Sequence, residues 1–436
     1  MTEHLDLLET REPARREAAL MAALPAQVMA AQGVAGYAQA LAGIDAASIC
    51  TRTALQALPV LRKTELLERQ QALRENSNSR ANPRANTHDP FGGFSAIGWR
   101  ATGSVRAARR VFQSPGPIYE PEGPAPDYWR MARAMFAAGF RAGDLVHNSF
   151  SYHMTPAGSM METGAHALDC TVFGAGVGNT EMQLQALQDL QADAYAGTPS
   201  FLRILIEKAI AHGIKLPHMT KALVSGEAFP PSLRDWLAEH GVHAFQAYAT
   251  ADVGLIAYET ESREGLVVDE GVIVEIVRPG TNDVLPDGEV GEVVVTALQP
   301  DYPLLRFGTG DLSAVLPGFC PSGRTNLRIR GWLGRADQTA KVRGLFVHPS
   351  QVAQVLKRHP ELGRARLVVE GEMANDSMSL LAECDAPTTQ ADLADLADAV
   401  AQTVRDVTKL RAEVKLVATG SLPNDGKIID DQRIYT

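Results

Sequence analysis

Apolar residues recur at helical spacing through the first 75 positions, in runs rich in Ala, Leu, Glu and Arg. Pro25, Gly33, Gly43 and Pro59 interrupt them, so the pattern predicts a helical N-terminal region over 1–75 with breaks at those four positions. From 75 to 103 the composition shifts to Asn, Ser, Pro, Gly and His, which predicts an irregular or mobile excursion. Beyond it the periodicity alternates: a helix over 127–138, strands over 144–150 and 168–173, and a helix over 180–190. Strands separated by helices of this length pair in parallel through right-handed crossovers. The run ending at Leu223-Val224-Ser225-Gly226-Glu227 and the run over 243–248 extend the series. Loops at the carboxyl ends of such strands are where α/β proteins hold ligands.

After Gly265 the pattern becomes short apolar strands, over 272–277 and 287–296, with Asn-Asp and Asp-Gly turns that favour antiparallel pairing, and a further β segment around Arg328. The last hundred residues read as a separate βα module, with helices over 350–358 and 390–410 and strands over 365–369 and 413–417. The predicted fold is therefore α/β. A large N-terminal domain over 1–336 carries parallel and mixed sheets, helices and a β-rich part. A small mobile α+β domain follows over 337–436.

The 436 residues are too many for one core, and the net charge of −10 argues against a nucleic-acid surface built on clustered Lys and Arg. No segment reaches the roughly 18 apolar residues that span a bilayer, and the N-terminus lacks a signal-peptide core, so the expected location is the cytoplasm. The four cysteines, Cys50, Cys170, Cys320 and Cys384, have no metal-ligand spacing and read as small buried apolar residues.

Four short signatures carry the chemistry. They are Tyr248-Ala249-Thr250-Ala251-Asp252, then Thr309-Gly310-Asp311, then Gly334-Arg335-Ala336-Asp337 running into Lys341-Val342-Arg343-Gly344, and finally Gly426-Lys427. Each alone is weak, but in this order and spacing they resemble the acid-activating, AMP-forming ligases. The closest resemblance is to the phenylacetate-CoA ligase family, over most of the chain from Leu7 through Lys427. It implies an enzyme that uses ATP and Mg2+ to join a small carboxylic acid, an aryl acid such as phenylacetate at the family's centre, to AMP. The acyl group then passes to coenzyme A. Family habit suggests a homodimer.

The resemblance also assigns roles. Lys427 would bridge the substrate carboxylate and the α-phosphate as a point charge on a flexible turn. Asp311 would accept hydrogen bonds from both ribose hydroxyls. Tyr248, with Ala249 and Thr250, would stack on adenine, and Asp252 would ligate magnesium directly, through water, or serve only structure. Asp337 would be the hinge between two half-reactions, Arg335 a ribose or phosphate contact, and Lys341 and Gly344 part of the thiol tunnel. Gly226, which permits close approach, and Glu227 would lie along adenine. Thr198 and Pro199, with Tyr152, Met154 and Thr155, would line the acyl pocket or simply be core.

This chain departs from the family in three ways. Ala249, Ala251 and Asp252 replace a Gly, a hydroxyl residue and a Glu. Of the relatives' zinc cysteines only Cys320 remains. Where the family has a Ser-, Thr- and Gly-rich phosphate loop with a Lys, this chain has Ser114-Pro115-Gly116-Pro117 followed by Glu120 and Glu122. Prolines remove amide donors and the acids oppose a polyphosphate. Ser114 and Gly116 remain the nearest candidates for that contact, and Thr102, Ser104, Arg106, Arg109 and Arg110 could supply replacements. Two rival readings stay open: adenylation with an amine, hydroxyl or carrier-protein thiol as acceptor, and a non-catalytic nucleotide-binding homologue with a decayed phosphate loop.

Overall fold

A computed structural model describes residues 4–78, 89–99, 106–114, 117–336, 338–372, 375–384, 390–423 and 427–433. The chain forms two compact units, Met1–Gly334 and Arg335–Thr436. The fold class is α/β with both parallel and antiparallel sheets.

In the first unit the strands Thr171–Gly174, Leu145–Asn148, Ala194–Gly197, Lys221–Val224 and His243–Thr250 lie side by side, every pair parallel. Their apolar side chains, among them Val146, Ala194, Ala196 and Leu223, are buried on both faces, as parallel strands flanked by helices must be. The sheet continues antiparallel through Gly254–Glu259, Leu266–Val268, Arg328–Ile329 and Val315–Leu316. A second sheet pairs Val272–Val277, Gly291–Ala297 and Phe307–Ser313 antiparallel, and Leu61–Arg62 joins its edge in parallel, with Arg62 opposite Gly308. The N-terminal helices cover this sheet through Leu20, Leu24, Val28 and Leu66.

Several expectations change. The helix Pro13–Gln32 runs through Pro25 instead of breaking there. Proline forfeits one helical hydrogen bond, but Leu20, Leu24, Val28 and Ala31 bury one continuous stripe on both sides of it, and that burial outweighs the loss. The helix Lys63–Asn78 extends into the region expected to be irregular. Residues 89–99 of that region are irregular yet packed. Asp89 accepts from the Phe91 and Gly93 amides, and Phe94 is buried edge-on to Tyr37 at 5.2 Å. The strand expected from 168 begins at Thr171, because Asp169 turns the chain in the left-handed region at φ 57°. Ala157–His166, where no helix is expected, forms one. Cys50 is exposed, between a short 3-10 turn and the Arg52–Gln56 helix, while the other three cysteines are buried.

The second unit holds a sheet ordered Glu413–Val417, Asn375–Cys384, Leu362–Glu372, Ile429–Asp431, with helices Pro349–Arg358 and Gln390–Thr408 packed on it. Its core includes Val352, Val355, Leu367, Leu380, Val400 and Val404. A hairpin, Ala340–Val342 with Leu345–Val347, turns at Arg343 and Gly344, both at positive φ (48° and 82°).

Candidate active site

In the first unit the sequence-predicted residues gather where the parallel strands end. Tyr248 lies near the end of His243–Thr250, just before a register shift between Tyr248 and Ala249. Such a bulge re-aims side chains, and here the Tyr248 hydroxyl donates to Asp311 Oδ2 at 2.9 Å and bonds Thr309 Oγ1 at 3.1 Å. Asp311 belongs to Phe307–Ser313 of the second sheet; its Oδ1 accepts from the Trp332 indole at 3.1 Å. Thr309 in turn donates to the Val293 carbonyl and accepts from the Asp311 amide, which fixes the strand around Gly310 opposite a register shift. The result is a carboxylate oriented by an aromatic residue on each oxygen.

At the neighbouring strand ends, Gly226 takes φ 82°, open to glycine without strain, and Ser225 before it donates to the Ala247 carbonyl at 2.7 Å. Glu227 accepts from Ser200 at 2.6 Å. Ser200 lies at the start of the helix Pro199–Ala211, which Thr198 caps by accepting from the Phe201 amide, so Thr198, Pro199 and Glu227 share one corner of the fold. A third corner holds the Tyr152 loop: Asn148 donates to the Tyr152 hydroxyl at 2.8 Å and to the Gly158 carbonyl at 2.9 Å. Met154, at φ 66°, is exposed, and Thr155 beside it is half-buried.

In the second unit Lys427 is more than half exposed, and its ammonium pairs with Asp430 at 3.1 Å. Arg335 is half-buried behind Gly334, and the Lys341 ammonium lies 5.6 Å over the Phe346 ring, beside the turn that holds Gly344. Asp337, Gly116, Gly426, Thr102 and Ser104 lie outside the described residues.

Residues 131–299 match the model for AMP-binding enzymes, and residues 344–433 match that for the AMP-binding enzyme C-terminal domain. The phenylacetate-coenzyme A ligase of Thermus thermophilus is 30% identical over 317 residues, covering 67% of this chain and 71% of that protein. The chain belongs to the phenylacetate-CoA ligase family. The Pseudomonas putida phenylacetate-coenzyme A ligase is 35% identical over 237 residues, 52% of this chain and 53% of its own. Among solved structures, a 2-hydroxyisobutyryl-CoA ligase in complex with 2-HIB-AMP and CoA superposes with a TM-score of 0.80 at 24% identity, over 98% of this chain and 92% of that one. That likeness establishes the shared fold.

Against the family pattern, the segment at the phosphate-loop position is a hairpin, Arg110–Ser114 with Ile118–Glu122. Its acids are turned inward. Glu122 is buried and accepts from Arg110, Ser159 and the Trp129 indole. Glu120 is also buried, accepting from the Ser114 hydroxyl and, at 3.2 Å, from the Ser114 amide. Burial first, and the charge of Asp252 second, push the Glu120 carboxyl well above the usual carboxylate range, so it holds its proton more firmly than an exposed Glu. Two of the proposed replacement arginines are committed elsewhere: Arg106 to Asp301, and Arg110 to Glu122 and Ser159. Arg109 is exposed.

Asp252 is nearly inaccessible, its side chain 1% exposed; Oδ2 meets the Lys63 ammonium at 2.8 Å, while buried Oδ1 has no hydrogen-bond partner among the described residues. Leaving such an oxygen unmatched is costly, and a cation is the natural complement. Mg2+ binds proteins through as few as one or two carboxylates, the substrate's phosphates and water supplying the rest, so a single orphaned carboxylate oxygen fits that demand. Among the described residues no cluster of three or more His, Cys, Asp and Glu could hold a metal by itself. Cys320 instead meets the hydroxyls of Ser322, Ser262 and Thr260 at 3.1, 3.5 and 3.7 Å. Lys63 was invisible to motif reading; its only local signal is a basic residue in the first turn of a helix, the end where cations are disfavoured.

Proposed function

We propose that the protein is an AMP-forming acid-CoA ligase acting on a small carboxylic acid, an aryl acid such as phenylacetate. The observation that carries the reading is the convergence of Tyr248, Thr309, Asp311 and Trp332 through hydrogen bonds of 2.9 to 3.1 Å, beside the strand end that delivers Asp252. A carboxylate positioned on both oxygens is preorganised to accept the two ribose hydroxyls of a nucleotide, with the Tyr248 ring available to adenine.

In the first half-reaction a carboxylate oxygen of the acid attacks the α-phosphorus of ATP, the bond from that phosphorus to the bridging β-oxygen breaks, and pyrophosphate leaves. Lys427 would carry positive charge to the attacking carboxylate and the α-phosphate. Asp252, through Oδ1, would hold Mg2+, which neutralises phosphate charge when bound. In the second half-reaction the thiol sulfur of coenzyme A attacks the acyl carbon, its proton is lost to solvent, and AMP leaves with the bonding electron pair. Thr198 and Pro199, with Tyr152, Met154 and Thr155, would house the acid, while Gly226 and Glu227 would lie along adenine.

The test is a panel of aliphatic and aryl acids with ATP, Mg2+ and coenzyme A, following AMP and pyrophosphate. The reading expects stoichiometric AMP and acyl-CoA, fastest with an aryl acid. AMP release indifferent to coenzyme A, or no acid-dependent pyrophosphate exchange at all, would refute it.

A further inference from the structure

The hairpin of Ala340–Val342 and Leu345–Val347 turns on two residues, Arg343 and Gly344, both in the left-handed region at φ 48° and 82°. Two-residue hairpins take such turns with Asn, Asp or Gly at the first position, because most other side chains resist positive φ. Arginine there is strained, and it persists only where its surroundings fix it. Gly344 serves the conformation alone, since a Cβ on it would meet nothing within 4 Å among the described residues. The fixing group is Asp376, the second residue of the strand Asn375–Cys384. Its Oδ2 accepts from the Arg343 amide at 3.0 Å, and its carbonyl accepts from Arg343 Nε and Nη2 at 3.2 and 2.9 Å. Amide and guanidinium of one residue thus close on one aspartate. Arg433 locks the other side: its Nη1 lies 3.1 Å from Asp376 Oδ1 and donates to the Lys341 carbonyl at 2.8 Å, while its Nε donates to Asp431 Oδ1 at 2.8 Å. Asp376 and Arg433 each expose 9% of their side chains, whereas the turn that they hold, 343–345, is exposed. Burying a charged pair is a costly way to anchor a surface loop, whose tip is ordinarily left mobile. What this arrangement specifies is the conformation of the exposed tip.

We propose that Asp376, acting through the Arg343 amide and backed by Arg433, is a positioning residue for thiol transfer: it presets the Lys341–Gly344 turn in the conformation that guides the thiol of coenzyme A to the acyl-adenylate. The proposal rests on the ligase reading above, with Lys341 and Gly344 on the path of the thiol. Asp376 needs no contact with substrate to act in this way. A turn already in place spares coenzyme A the entropy of ordering it on binding. The kinetic consequence is specific: releasing the turn raises the KM for coenzyme A and leaves adenylation, which does not use the thiol, intact.

The experiment follows both half-reactions in the full chain for wild type, Asp376→Ala, Asp376→Asn and Arg343→Val, using the fastest acid of the panel above and its adenylate. Pyrophosphate exchange reports adenylation, and thioester formation from the supplied acyl-adenylate at varied coenzyme A reports the thiol step. Asp376→Ala is expected to raise the KM for coenzyme A about tenfold or more, while kcat changes less than about threefold and exchange stays within about twofold of wild type. Asp376→Asn keeps an oxygen for the Arg343 amide and should recover most of the KM. Arg343→Val reaches the same turn from the surface, since a β-branched residue opposes positive φ, and should raise the KM even if Asp376→Ala fails to fold. Equal losses in both half-reactions of a folded protein would overturn the proposal in favour of a general role in the second unit, and an unchanged KM for coenzyme A would overturn it outright. Wild type that forms no thioester from any acyl-adenylate would instead overturn the ligase reading, and thermal melting of each variant separates loss of the thiol step from loss of fold.

Discussion

Tyr248 and Asp311 belong to different sheets, yet the hydroxyl of one donates to the carboxylate of the other at 2.9 Å. The contact ties the end of the parallel sheet to the antiparallel one, and it splits the nucleotide site into a ring and a carboxylate that can be tested apart. Tyr248→Phe keeps the ring and removes the hydroxyl that orients Asp311, an indirect effect expected to cost AMP binding about 0.5–1.5 kcal/mol. Asp311→Ala removes the charged acceptor and should cost about 1.5–3 kcal/mol. Calorimetric titration with AMP ranks them; a Tyr248→Phe loss larger than that of Asp311→Ala would contradict the assigned roles.

Lys427→Ala should separate the half-reactions. Acid-dependent pyrophosphate exchange is expected to fall about 100-fold or more, the scale of one preorganised cation or donor at a developing charge, while thioester formation from a supplied acyl-adenylate stays within several-fold. Asp430 pairs with the same ammonium at 3.1 Å, so Asp430→Asn serves as the control that disturbs the lysine's surroundings without removing its charge. A parallel fall of both half-reactions in a folded Lys427→Ala protein would remove this lysine from the adenylation step.

Asp127 offers a pH signature. It accepts from the Met131 and Ala132 amides at 2.9 and 3.1 Å, bonds that favour its charged form, yet burial prevails and its carboxyl is raised to about 6. The folded chain then holds this proton more tightly than the unfolded chain, whose carboxylate titrates near 4. Stability from this group is therefore present at low pH and declines as pH rises from about 4 to about 6, by up to about 3 kcal/mol. Denaturant melts of wild type and Asp127→Asn across that window should diverge in slope; parallel curves would count against the assignment.

Glu9 has no exposed side-chain surface and meets Arg324 at 2.8 Å and Arg133 at 2.9 Å, both largely buried. Arg133 keeps Asp6 and Asp269 and Arg324 keeps Glu261, so Glu9→Ala removes a buried partner without stranding either arginine and is expected to destabilise the protein by about 1–3 kcal/mol. Chemical denaturation measures this. AMP affinity of the folded fraction should not change, and a near-neutral result would mean that those partners suffice for the two arginines.

Much of this architecture was readable as pattern. The parallel strands announced themselves as short apolar runs between helices, and Thr180–Leu190 followed its periodicity. The helix Ala157–His166 was hidden because Gly158 and Gly164 lower its propensity; both are demanded by contacts that no local rule contains. A Cβ at Gly158 would meet the Ser151 carbonyl at 2.6 Å, and one at Gly164 would meet Met131 at 2.6 Å. Pro25 misled in the opposite direction, since tertiary burial carried a helix through a residue that locally breaks one. In the site, Tyr248, Asp252 and Asp311 stood out through short motifs, whereas Lys63 lies 189 residues from its partner Asp252 and only the folded chain joins them. The inward turn of Glu120 was equally invisible, for strand pairing decides which face of the hairpin an acid occupies.

The seam that binds Glu9 to Arg133 and Arg324, and Arg16 and Arg11 to Glu270, joins the opening residues of the first unit to one stretch 124 positions further on and to others more than 250 positions away. During synthesis Glu9 can meet Arg133 early, but Arg11 and Arg16 must wait for Glu270, and the cluster closes only once Arg324 has been made. The amino-terminal unit therefore completes its folding late and as a whole, and any tag or trimming that holds back its first dozen residues would act like a core mutation.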